Sequence, residues 1–97
     1  MPDQRRFEIV VDGEIAGYTT YRSRPHVRAF LHTRVDPRYE GRGYASQLVT
    51  SALDATRKEG LAVEPYCPYI RSFIARHRKY LDLVPADRRV KFGFPAG

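Results

Sequence analysis

The chain has 97 residues, one cysteine, 42% hydrophobic and 29% charged residues, and a formal net charge of +6. That length suits one domain, residues 1–97, with a thin core. A single thiol excludes an internal disulfide and a zinc–thiolate cluster, and no apolar run is long enough for a transmembrane helix. The N-terminal "MPDQRRFEIV" has no apolar signal core, so the cytoplasm is the expected location. The positive balance favours a polyanionic partner, either a nucleic acid or a phosphorylated cofactor. Part of it gathers at Arg71, Arg76, Arg78, Lys79, Arg88, Arg89 and Lys91, which also reads as a solvated face.

In chain order, "RFEIVVDG" alternates Phe7, Ile9 and Val11 against Glu8, Val10 and Asp12, a strand pattern. Asp12-Gly13 then offers the two positive-φ positions of a tight hairpin. "EIAGYTTYRSR" continues as a second strand, with Gly17 marking a bend or a close contact. After "SRPH", "VRAFLHTRV" reads as a third strand. Val27, Ala29, Leu31, Thr33 and Val35 are expected on one face, Phe30 and His32 on the other. Helical period begins after Gly43: Ala45, Leu48, Val49, Ala52 and Leu53 form one apolar stripe from Tyr44 to about Glu59, and Gly60 is a natural stop. "LAVEPYC" is a fourth strand. Pro68 suits a first helical position, and Ile70, Phe73, Ile74, His77 and Leu81 give a second stripe. A short edge strand is expected at "RVKFGF". The helix joining the third and fourth strands makes them parallel, so the expected fold is α+β with a mixed sheet: three antiparallel strands, helix, parallel strand, helix.

"VDPRYEGRGYASQLV", residues 35–49, is the most informative stretch. The first N–H groups of a helix lack intrahelical partners, and the dipole makes that end positive, so an anion is stabilised there. Glycine at 41 and 43 lets phosphate oxygens approach the amides, and Arg38 and Arg42 can add charge-assisted bonds. The dinucleotide fingerprint does not fit, since position 46 is Ser, and the P-loop lysine is absent. On spacing alone an ordinary strand–helix turn remains the alternative.

"RYEGRGYA" resembles the Arg/Gln-x-x-Gly-x-Gly/Ala signature of the GNAT N-acetyltransferase superfamily. "GEIAGYTTYR", "FLHTRVDPRYEGRGYASQLV" and "LAVEPYCPYIRSFIARHRKYLDLV" extend the likeness over about residues 7–84, toward a minimal, domain-only GNAT-like subfamily. The resemblance implies acetyl-CoA (coenzyme A) as cofactor. Its pyrophosphate would lie on the loop from Arg38 through Gly41, Arg42, Gly43 and Tyr44 to Ala45. Its pantetheine arm would pair with backbone near Val35, between third and fourth strands that splay apart. It also implies an amine-bearing acceptor, small molecule or protein. Two departures stand out. Larger members have a strand and two helices ahead of the first strand, for which the residues before Phe7 leave no room. The tyrosine that often protonates the CoA sulfur would fall near Phe73, which has no hydroxyl.

Acyl transfer from a thioester needs a deprotonated amine, a stabilised oxyanion and a proton for the leaving thiolate. Cys67 ends the fourth strand and precedes Pro68 at a helix start. It can serve as acid, as transient acyl acceptor, or only as a small buried hydrophobe. His32, near the carboxyl end of the third strand, can act as general base or be packed. His77 reads as structural, and Tyr66 and Tyr69 flank the site. Glu40 and Glu64 are unpaired by spacing, and no metal-ligand spacing occurs. Three functions compete: an acetyl-CoA-dependent N-acyltransferase, a CoA-binding module without turnover, and, behind both, a basic nucleic-acid binder, for which no motif is present. No membrane association is expected, and exposed sheet edges leave room for a homodimer.

Overall fold

Asp12 and Gly13 adopt φ of 50° and 81°, and the chain reverses there as a tight hairpin. The computed structural model describes residues 4–95. Its strands are β1 (Gln4–Val11), β2 (Glu14–Arg24), β3 (Val27–Val35) and β4 (Ala62–Pro65). Its helices are α1 (Tyr44–Lys58) and α2 (Pro68–Arg76). The 4-stranded sheet has the order β1-β2-β3-β4, antiparallel until the parallel β3–β4 pair. The mixed α+β architecture expected from the pattern is the one observed.

One face of the sheet carries both helices. Val49, Ala52 and Leu53 of α1 pack with Phe30, Val63, Ile70, Phe73 and Ile74 in one buried cluster. Each such large side chain, fully buried, is worth about 1.5–3 kcal/mol. Arg28 fastens β3 to α1. Buried itself, it donates to Glu59 at 2.9 and 3.0 Å and to Thr56 Oγ1 at 3.1 Å, and lies 4.5 Å over the Tyr21 ring. Gly17 is the expected close contact, since a Cβ there would stand 2.7 Å from the Arg34 carbonyl oxygen.

The structure corrects three expectations. The third strand does not keep strict alternation. Thr20 pairs with His32 but Tyr21 pairs with Phe30, so Leu31 is a bulge and the side-chain parity flips across it. Arg28 and Phe30 share the helix face with Thr33, while Ala29 and His32 face the other way. The second helix stops at Arg76. The His77 N–H donates to the Phe73 carbonyl at 2.9 Å, its Nδ1–H does the same at 2.9 Å, and its ring stacks on Phe73 at 4.1 Å. Leu81 belongs to the following 3-10 segment, Arg78–Leu83. "RVKFGF" is not a strand. Phe92 and Phe94 are both buried, which imitates strand alternation. The segment is instead wound into turns, with Gly93 at φ 84° and the Phe94 N–H on the Arg89 carbonyl at 2.8 Å.

Candidate active site

β4 pairs with β3 only from Val27 to Phe30. Beyond Pro65 the chain turns away, held by the Cys67 N–H donating to the Phe30 carbonyl at 3.1 Å. β3 runs on to Val35 without a β4 partner. The parallel strands therefore part on the side where β3 enters the glycine loop.

Asp36 shapes the entry to that loop. Its N–H donates to the Ala16 carbonyl at 2.8 Å, and its carboxylate accepts from the Arg38 N–H at 2.9 Å. Those bonds from Arg38 hold the carboxyl below its ordinary value. Gly41 and Gly43 both have φ of 79°, in the left-handed region. Gly43 is the α1 N-cap and offers no side-chain cap, and the first helical bond is Gln47 N–H to the Gly43 carbonyl at 3.1 Å. Among the described residues, the N–H groups from Gly41 to Ser46 have no protein acceptor. A Cβ on Gly41 or Gly43 would meet no protein atom within 4 Å, so packing does not demand glycine there. What remains is a left-handed backbone with open space above unpaired amides, which fits a phosphate group.

Arg42 in this loop is exposed and has no ion pair or hydrogen bond among the described residues. Arg38 is differently placed. It is tied to Asp36 and Glu14, each at 3.3 Å, and sits 5.4 Å over Tyr39. Tyr44 meets Tyr39 edge-on at 6.0 Å, Ala45 opens the helix, and Val35 closes β3 opposite Gly17.

Cys67 is 3% exposed and is the N-cap residue of α2. Its thiol donates to Thr33 Oγ1 at 3.3 Å, and Thr33 donates to the fully buried Thr19 Oγ1 at 3.0 Å. His32 is exposed on the opposite sheet face, because neighbours in a strand alternate. The structure thus places Cys67 by the gap but does not bring His32 to it. Tyr69 packs against the core, whereas Tyr66 is 37% exposed and donates to Glu64 at 3.3 Å. Phe73 is buried beneath His77.

Sequence reading missed Thr33 and Thr19. Their signal is a threonine on a core-facing register, where a buried hydroxyl needs a partner. It also missed the setting of Glu64, a 5% exposed carboxylate bound by Arg24 and lying 3.2 Å from Arg88 Nε.

Solved acetyltransferases share this fold. The chain superposes on the ribosomal-protein-S18-alanine N-acetyltransferase of Escherichia coli with a TM-score of 0.60 and 20% identity, over 65% of this chain and 41% of that one. A putative GNAT-family acetyltransferase from Desulfovibrio desulfuricans gives 0.61 and 19%, over 77% and 54%. An aminoglycoside acetyltransferase from an uncultured soil metagenomic sample, in complex with sisomicin, gives 0.59 and 12%, over 82% and 58%. The chain thus spans about half the length of these structures. Among curated protein sequences none matches. The profile of the GCN5-related N-acetyl-transferase family matches residues 6–83, and the chain belongs to that family.

Proposed function

We propose that the protein is an acetyl-CoA-dependent N-acyltransferase that moves an acetyl group to an amine. The observation that carries this reading is the run of unpaired amides from Gly41 to Ser46, beside the unpartnered Arg42, at the mouth of the gap between β3 and β4. Amides and a cation together suit a pyrophosphate, and the helix dipole adds to both. Val35 and the unpaired backbone of β3 line the gap where a pantetheine arm would lie.

Acetyl-CoA supplies the acyl group as a thioester: a C–N bond forms, the C–S bond breaks, the amine loses a proton and the sulfur gains one. On the protein side, Cys67 holds a proton at Sγ, and Thr33 orients it. His32 is exposed on the opposite sheet face and is not brought to the gap, so the amine proton is left to solvent. The named activities of the similar structures, on a ribosomal-protein alanine and on an aminoglycoside, support an amine acceptor without choosing one.

The basic C-terminal run gives little support to a nucleic-acid role. Arg71 donates to the Tyr66 carbonyl at 3.0 Å, Arg89 to the Val84 carbonyl at 3.0 Å, and Arg88 faces Glu64. These cations serve the fold. Thiol release from acetyl-CoA in the presence of an amine panel tests the proposal. Amine-dependent release is expected, and tight acetyl-CoA binding without release would reduce the protein to a CoA-binding module.

A further inference from the structure

The C-terminal segment lies beyond the family match at residues 6–83, yet it is packed against the domain. A 3-10 turn, Ala86–Arg88, leads into it, and Phe92 and Phe94 are buried in the main core cluster. Its side chains converge on one residue, Tyr66. Phe92 meets the Tyr66 ring edge-on at 5.1 Å. Arg88 donates to the Tyr66 hydroxyl at 3.4 Å, and that hydroxyl donates to Glu64 at 3.3 Å. The Arg88 Nε also lies 3.2 Å from the Glu64 carboxylate. From α2, Arg71 donates to the Tyr66 carbonyl at 3.0 Å. A side chain held this firmly is ordinary in a core, but Tyr66 is 37% exposed. With Arg22, Arg24, Ala29 and Leu31 it lines a depression of about 280 Å³. Tyr66 directly precedes Cys67, and Leu31 directly follows Phe30, whose carbonyl accepts from the Cys67 N–H. The depression therefore borders the gap between β3 and β4.

We infer that Tyr66 is the specificity-determining wall of the acceptor site, held in place by Phe92 and Arg88, and that the acceptor carries an apolar or aromatic group beside its amine. The inference rests on the acyl-transfer reading. The charges around the depression are already satisfied: Arg24 is bonded to the buried Glu64, and Arg22 has a partner of its own. What is left for an incoming molecule is the Tyr66 ring, Leu31, Ala29 and the apolar stems of the two arginines. Apolar surface docked there is removed from water, and concave sites lined this way favour apolar ligands. The ring is fixed in advance by the C-terminal segment, so docking costs little side-chain entropy at Tyr66. That assigns the segment a task in substrate choice: Phe92 and Arg88 position, and Tyr66 touches the acceptor.

The test compares two primary amines, 2-phenylethylamine and its polar counterpart 2-methoxyethylamine, in thiol release from saturating acetyl-CoA by the full chain. The aromatic amine should be preferred at least about tenfold in kcat/KM. Tyr66→Ala should abolish that margin by raising KM for 2-phenylethylamine, and Tyr66→Phe, which keeps the ring, should retain most of it. Phe92→Ala should raise the same KM several-fold while kcat and acetyl-CoA affinity hold; a merely structural role would lower Tm and affect both amines alike. Val90→Ala, at a 68% exposed position in the same segment, should change nothing. If Phe92→Ala fails to fold, Arg88→Met is read in its place. Equal use of the two amines by wild type, or a margin that survives in folded Tyr66→Ala, would overturn the wall. An unchanged KM in the folded Phe92 or Arg88 variant would overturn the positioning role. Calorimetric binding of both amines to the CoA-saturated protein separates this inference from the reading beneath it. If neither amine releases thiol, a Tyr66-dependent binding preference for 2-phenylethylamine upholds the wall without acyl transfer, and no preference refutes it.

Discussion

The Cys67 thiol lies 3.3 Å from the Thr33 hydroxyl, linking the N-cap of α2 to β3 at the point where β3 and β4 part. Thr33 continues to Thr19 at 3.0 Å, so the thiol ends a short hydroxyl chain running into the core. The thiol donates to Thr33, which donates to Thr19, so the chain fixes the orientation of Sγ. Thr33→Val removes the link but keeps the shape. We expect acetyl-CoA affinity to hold, kcat to fall roughly fivefold for a lost bond of about 1 kcal/mol, and Thr33→Ser to recover most of it. Steady-state kinetics on both variants check this. An unchanged kcat in Thr33→Val would leave the link purely structural.

Cys67→Ala should bind acetyl-CoA as wild type does and lose turnover, because a proton donor or nucleophile acts on the transition state. Cys67→Ser should recover little. Mass spectrometry after mixing with acetyl-CoA alone separates the two roles. A transient acyl acceptor gains an acetyl adduct that Cys67→Ala lacks, and a proton donor gains none. A lower Tm with undiminished transfer per folded molecule would remove Cys67 from the chemistry.

Acid should weaken the fold in a defined window. Hydrogen bonds from Arg28 lower the Glu59 carboxyl from its ordinary 4.5, and those from Arg57 lower Asp82 from 3.8. Both folded values lie below the unfolded ones, so this stabilisation is complete above the unfolded values and is lost as pH falls through the folded ones. Tm should be level above about pH 5 and decline below about pH 4. Glu59→Gln should melt lower than wild type at pH 7, with a gap that closes on acidification. A pH-independent gap would contradict the Arg28–Glu59 account.

Arg42 and Arg38 should differ as cofactor contacts. Arg42→Ala should weaken acetyl-CoA binding by about 1.5–3 kcal/mol, the worth of a hydrogen bond to a charged group, and rising salt should weaken binding as well. Arg38→Ala should cost less, because Asp36 and Glu14 already share its charge. Calorimetry on the two variants decides the order.

Much of the fold was legible because periodicity and turn chemistry agree. β2 and β3 begin and end where the pattern places them, and α1 starts at Tyr44, directly after Gly43. The misplaced faces of β3 have one cause. A bulge at Leu31 leaves no local sequence mark, since any residue can be the extra one, and everything beyond it changes side. "RVKFGF" misled because Phe92 and Phe94 are buried at alternate positions in a turn as they would be in a strand. Within the candidate site, the left-handed glycines and the helix start after them were legible because turn geometry is local. The Cys67–Thr33–Thr19 chain and the Glu64–Arg24–Arg88 cluster join residues distant in sequence, and only the folded register brings them together.

The central claim is that the pyrophosphate of acetyl-CoA rests on the amides from Gly41 to Ala45. Titration calorimetry of acetyl-CoA against wild type, Gly43→Val and Gln47→Ala tests it most directly. Valine at φ 79° strains the backbone by about 1–2 kcal/mol and projects into the open space over the amides, so melting curves must first show that Gly43→Val is folded. Gln47 lies on the exposed side of α1. The account predicts that folded Gly43→Val loses acetyl-CoA binding while Gln47→Ala retains it. Wild-type affinity in folded Gly43→Val would contradict it.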